Sequence, residues 1–93
     1  MFRLWAKVFE NNHMIKDIVI ENDSKELTRT KKIFAALDDV CHAFDLGKPI
    51  WLDSNIDEFK KVSKTRFRAD NFIESIEFDY LEIQIIEEDA LLV

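Results

Sequence analysis

The side chains able to do covalent chemistry in this sequence are few. They are one cysteine, Cys41, two histidines, His13 and His42, and four serines, Ser24, Ser54, Ser63 and Ser75. Nucleophilic catalysis needs one of these activated by a base within hydrogen-bond reach. No serine stands in a Gly-x-Ser-x-Gly elbow. Gly47 is the only glycine, so there is no phosphate-cradling loop and no dinucleotide fingerprint. Cys41 and His42 are adjacent, but neighbours on a helix point about 100° apart and do not pair. Cys41 falls on an apolar stripe, where cysteine behaves as a small hydrophobe. His13 falls in a predicted hairpin turn. The histidines have 28 residues between them and there is a single cysteine, which is no ligand spacing, so neither a metal nor a cofactor is expected. Acidic clusters such as "IEED" lack the spacing and the glycine of an EF-hand loop. The expectation is a protein that is not an enzyme.

Binding chemistry has more to work with. Residues 60–68, "KKVSKTRFR", carry Lys60, Lys61, Lys64, Arg66 and Arg68 with Phe67 among them and no acid. Cations interleaved with an aromatic ring suit a phosphate or single-stranded nucleic acid. The competing role is to neutralise the acidic strand that follows, with Phe67 in the core. That role is favoured, because an acidic net charge argues against nucleic acid. A second feature is electrostatic. Arg29, Lys31 and Lys32 fall near the start of a predicted helix, and Asp38, Asp39 and Asp45 toward its end. This opposes the helix dipole at about 0.3–1 kcal/mol per exposed charge in the end turns. Such a choice marks either a functional surface or charges paired across the fold, the bases with the C-terminal strand. A third stretch sets Trp51 beside Asp53, Ser54 and Asn55. An exposed Trp among short polar groups suits a protein-binding hot spot. A Trp closing one end of a small core, with Asp53 capping, is the favoured alternative, and Trp5 competes for that place. Last, "EEDALLV" offers an apolar end that a partner's groove captures through Val93, or whose Leu91 and Leu92 pack back on the sheet.

The elements that must position these groups follow from periodicity. In "FRLWAKVF" Phe2, Leu4, Ala6 and Val8 share one face, and Arg3, Trp5, Lys7 and Phe9 the other. That alternation is a strand. "ENNH" follows, and paired asparagines tolerate the positive φ of a tight hairpin turn. "MIKDIVIE" completes a β-hairpin over 2–10 and 13–21. "NDSKELT" holds the cap candidates Asp23, Ser24 and Thr28. Ile33, Leu37, Val40, Cys41 and Phe44 then recur at helical spacing, an amphipathic helix over about 28–46. Gly47 is placed to take the left-handed cap conformation, and Pro49 cannot continue the helix. "PIWL" reads as a short third strand, and "DSNIDEF" as a new helix capped by Ser54 or Asn55. "SKTRFRADNF" is irregular or a short strand. "ESIEFDYLEIQIIEED" alternates as a long strand, but its phase slips between Tyr80 and Leu81. A β-bulge there absorbs the slip and leaves Glu77, Asp79, Glu82 and Gln84 in water.

Composition bounds the rest. Ninety-three residues make a single domain, 1–93, and 47% apolar content supplies a core. One cysteine excludes a disulfide framework and fits a reducing compartment. No stretch reads as a signal peptide or a membrane span, so a soluble cytoplasmic protein without a membrane partner is expected. The net charge of −6 is uneven. Residues 1–68 hold 13 bases against 11 acids, whereas residues 69–93 hold 8 acids and no base.

The order hairpin, long helix, short strand, short helix, long late strand is an α+β arrangement. It resembles the β-grasp architecture of ubiquitin-like proteins, with one helix packed on the sheet and the last strand inserted beside the first. The "KPIWLDSN" and "KTRF" stretches also resemble those of short uncharacterised bacterial proteins, a likeness that implies no activity. By elimination the expected function is protein–protein contact, as an adaptor, regulator or inhibitor. The surfaces for it are Trp51 with Asp53 and Asn55, and the run 60–68. The alternatives are nucleic-acid or phosphate binding through 60–68, and nucleic-acid mimicry through the acids of 74–89. An unpaired edge strand also leaves room for a homodimer.

Overall fold

The computed structural model describes residues 1–88. Strand β1 (Phe2–Glu10) and strand β2 (His13–Asn22) form the expected hairpin. Asn11 and Asn12 both take positive φ, 52° and 65°, as the two-residue turn requires. Helix α1 (Arg29–Phe44) follows, then helix α2 (Asp53–Val62), strand β3 (Lys64–Phe67), a 3-10 turn at Ala69–Asn71 and strand β4 (Tyr80–Glu87). The sheet order is β2-β1-β4-β3, and every neighbouring pair is antiparallel. The late strand does lie beside the first. This is an α+β domain in two layers, two helices on one face of a four-stranded sheet.

The core follows from the alternation in β1. Phe2, Leu4, Ala6 and Val8 are buried, and β4 sets Leu81 and Ile83 against Val8 and Ala6 in register. Thr65 and Phe67 of β3 continue the layer, and Ile33, Ala36, Leu37, Val40 and Cys41 cover it from α1. Phe59 of α2 and Phe72 complete it.

Four local expectations are corrected. "PIWL" is not a strand. The Ile50 N–H donates to the Asn71 carbonyl at 2.6 Å, and the Ile50 carbonyl accepts from Asn71 Nδ2 at 2.8 Å. This segment is therefore tied to the 3-10 turn and not to the sheet. The left-handed cap of α1 is Asp45, φ 55° and ψ 49°, and not Gly47, whose φ is not positive. The helix stops two residues early because Leu46 turns back, its N–H donating to the Cys41 carbonyl at 2.8 Å. Aspartate tolerates that conformation with little strain. Thr28 caps the other end, accepting from the Lys31 N–H. Helix α2 is capped from Leu52 and not from Ser54 or Asn55. Asn55 is its third residue and reaches back to accept the Leu52 N–H at 3.1 Å. Finally, β4 begins at Tyr80, where the alternation slips. Residues 72–79 are irregular, and their Ile76 and Phe78 pack on the core from outside the sheet. No bulge is needed at Tyr80–Leu81. The register shifts lie elsewhere, between Val8 and Phe9 against β2 and between Arg3 and Leu4 against β4.

Candidate functional site

The basic run 60–68 is divided by the fold. Lys60 and Lys61 lie in the last turn of α2, where cations suit the helix dipole. Lys64 and Arg66 alternate with the buried Thr65 and Phe67, so they stand on the sheet face that no helix covers. On that face Glu82 is 4% exposed and does not reach water as expected. Lys7 Nζ lies 2.7 Å from Glu82 Oε2, and Arg66 Nε donates to Glu82 Oε1 at 2.9 Å. Lys7 also donates to Gln84 and sits 3.9 Å above the Trp5 ring, while Trp5 Nε1 donates to Asp17. Arg66 and Arg68 lie over Tyr80, which stacks on Phe9 at 5.0 Å. Burial raises the Glu82 carboxyl, but hydrogen bonds from Lys7 and Arg66 outweigh it and hold the group below its ordinary range. Of the five cations that suggested an anion site, Arg66 is here a counter-ion of this carboxylate.

Four of the acids in 74–88 have partners within the fold. Glu82 is buried in its ion triad, Glu87 meets Arg3, Glu88 meets Arg29, and Asp79 accepts from the Asn11 N–H. Asp89 and the apolar "ALLV" that follows lie outside the described residues, so the expectation placed on Leu91, Leu92 and Val93 is not settled by the fold.

Asn55 is buried and works as a joint. Its Nδ2 donates to Thr65 Oγ1 at 2.9 Å and to the Arg66 carbonyl at 3.0 Å, and its Oδ1 accepts from Asn71 Nδ2 at 2.7 Å. Asn71 makes the same N-terminal motif as Asn55, accepting the Arg68 N–H at 2.9 Å. The two asparagines pin the 50–52 segment, the start of α2, β3 and the 3-10 turn to one another. Asp53 is exposed at the first position of α2, where its charge suits the helix dipole.

Trp51 is half-buried at the end of the core between the helices. Its ring meets Phe67, Phe59 and Phe34 edge-on, at 5.0, 5.5 and 6.0 Å. Its indole N–H is buried and has no acceptor among the described residues. Beside it runs a groove of about 180 Å³ between α1 and α2, lined by Arg29, Ile33, Phe34, Ile56 and Phe59 as well as Trp51. Thr30 and Lys60 complete the lining, so both charged side chains in it are basic. Phe34 and Ile56 are 48% and 38% exposed, a large apolar area for two neighbouring side chains to leave in water. Arg29 links the groove to its surroundings. Its Nη2 donates to Ser63 Oγ at 3.3 Å at the end of α2, its Nε meets Glu88 at 2.9 Å, and its guanidinium lies 5.8 Å from the Phe59 ring. One base of the dipole-opposing set on α1 thus pairs with the end of β4 and joins Lys60 at the groove. Phe34 was legible only as a flank of the apolar stripe, and Ile56 only as part of a short one. Neither pointed to a shared surface.

Cys41 is buried, and burial with the nearby Asp38 pushes its thiol up to about 11 despite Lys48. Among the described residues no three His, Cys, Asp or Glu side chains gather as metal ligands do, and no helix is long and apolar enough to cross a membrane. Compared with family models, with curated proteins and with solved structures, the chain matches none.

Proposed function

We propose that this protein is a small non-enzymatic binding module that takes a short segment of a partner protein in the groove between α1 and α2. The observation that carries this reading is the pairing of half-exposed Phe34 and Ile56 around Trp51 with a lining whose only charges, among the described residues, are Arg29 and Lys60. Aromatic and aliphatic anchors in a concave site provide affinity, and the charged rim provides orientation. Two basic groups at one end and apolar rings along the floor select a segment in which acidic residues adjoin aliphatic ones. The exposed sheet face supports nucleic-acid binding less well, because Lys7 and Arg66 are already held by Glu82.

The test is selection from an array of short peptides by the labelled full chain at low salt. Sequences with acids next to aliphatic residues are expected to be enriched, and the Phe34→Glu and Ile56→Asp variants are expected to lose them. Both positions are partly exposed, so retained far-UV circular dichroism separates lost binding from lost fold. Enrichment of basic peptides, or binding unchanged in both variants, overturns the reading.

A further inference from the structure

We infer that the segment this groove takes is the loop 73–77 of a second copy of the chain, in a reciprocal dimer. The inference rests on the groove being a docking site, and it names the partner. Ile73 is 87% exposed, more than any other large apolar side chain among the described residues. Single exposed aliphatic residues are ordinary on protein surfaces, so the weight falls on how Ile73 is presented. It stands on a fixed base. Phe72 is buried in the core, Phe78 packs against the core, and the two rings meet edge-on at 6.2 Å, which closes the loop at both ends. Asn71, just before it, is held by Ile50, Asn55 and Arg68. The loop "IESIE" is thus presented in a set shape, and a preorganised segment loses less freedom on binding. Its charges also match. Glu74 and Glu77 in the loop and Asp70 before it are exposed, and none of them forms an ion pair among the described residues. Lys48, which lines the same cavity as Ile73 and Glu74, already lies 3.2 Å from Asp38. An aliphatic residue flanked by uncompensated acids is what Phe34, Trp51 and Ile56 select when Arg29 and Lys60 stand beside them.

The loop does not reach its own groove. Ile73 lies with Asp45 and Leu46 at the end of α1, and the groove lies with Arg29 and Phe34 at its start. Phe34 and Asp45 are about 16 Å apart along the helix, and the buried Phe72 anchors the loop where it is. A knob at one end of α1 and a hole at the other are self-complementary under a two-fold axis. Two copies with antiparallel α1 helices set each Ile73 against the other copy's Phe34, Trp51 and Ile56, so both contacts form at once. The segment 50–52 runs between knob and hole, from the Asn71 hydrogen bonds to the groove lining, and its Ile50 and Leu52 are exposed. The same apposition covers them.

The decisive experiment is sedimentation equilibrium of the full chain at low salt, from micromolar to near-millimolar concentration, with Ile73→Glu and Phe34→Lys run alone and mixed. The wild-type chain is expected to pass from monomer to dimer and stop there. Each variant alone is expected to raise the dimer Kd by about tenfold or more. Mixed in equal amounts, the two variants are expected to dimerise again. One wild-type contact then forms, and at the other the introduced lysine faces the introduced glutamate. Ile73 is on the surface and Phe34 is half-exposed, so far-UV circular dichroism of each variant separates lost association from lost fold. A wild-type chain that stays monomeric, with peptides still captured in the array, overturns the inference and leaves the binding reading intact. A monomer together with an array that enriches nothing overturns both. A dimer that neither variant weakens lies on another face, such as the β2 edge, and overturns the inference. A mixture no more associated than its parts does the same, and growth past the dimer rejects the reciprocal arrangement.

Discussion

Glu82 shows how a single side chain reverses its sequence meaning. In the strand pattern it alternates with isoleucine and leucine as a solvent position, yet it is buried between Lys7 and Arg66. Its depressed pKa has a definite sign. The ionised form is the one the fold stabilises, so the contribution is fully present above the ordinary value of 4.5 and is lost as pH falls through the lower folded-state value. Glu82→Gln leaves Lys7 without its counter-charge. It should cost about 3 kcal/mol at neutral pH, the low end for breaking a buried pair because Arg66 keeps one side open. Urea titrations from pH 7 into the acid range should show that loss, and the variant should lose the Glu82 share of acid sensitivity. Cys41 gives a second residue-scale prediction. With its thiol pushed to about 11 and its side chain buried, reaction with a thiol reagent at pH 8 should proceed only through unfolding. Rates measured against urea concentration should track the unfolded fraction. Trp51→Ala should cost about 3–5 kcal/mol through lost packing. Trp51→Phe should cost distinctly less, since it keeps one ring among Phe34, Phe59 and Phe67 and removes a donor that lacks an acceptor. Thermal or urea melts of the two variants check the order.

At the scale of elements, the hairpin and the long helix were legible because their signals are local. Period-two alternation, an Asn-Asn turn, a threonine cap and a 3.6-residue apolar stripe each act within a few residues. The segment 47–55 was legible as a break but misread as a strand and a cap. Its backbone bonds go to Asn71, a partner far along the chain that no local pattern reveals. The corrected cap makes a prediction. Gly47 has no positive φ and an added Cβ meets nothing within 4 Å, so Gly47→Ala should be neutral or stabilise by about 0.4–1 kcal/mol. Asn71→Ala, by contrast, removes hydrogen bonds to Ile50, Asn55 and Arg68 and should cost about 2–3 kcal/mol. Amide hydrogen exchange should quicken in 50–56 and 64–68 together, because one side chain ties both stretches.

At the scale of the whole molecule, the layer arrangement decides what is available for binding. Two helices on one sheet face leave the other face open, and that face is occupied by its own ion and aromatic pairs. The same two helices, one starting where the other ends, enclose the groove of Phe34, Trp51 and Ile56. If this groove is the working surface, substitutions on the open face, such as Arg68→Ala, should leave peptide affinity within about twofold, whereas Ile56→Asp should reduce it more than tenfold. Fluorescence anisotropy with one labelled peptide compares the two. The salt dependence of binding should be modest, since only two bases line the groove.

The sequence by itself determined the α+β class, the hairpin, the extent of α1 within two residues and the identity of most core positions. Burial of apolar surface and local backbone preference act over short spans, and their marks are periodic. The tertiary structure alone decided which charges meet, because ion pairs join residues 59 or 75 positions apart, as in Arg29 with Glu88 and Lys7 with Glu82. It also decided that Phe34 and Ile56, each one apolar residue among many, share one exposed groove. A surface of that kind depends on how two helices cross the sheet, and nothing within either helix records it.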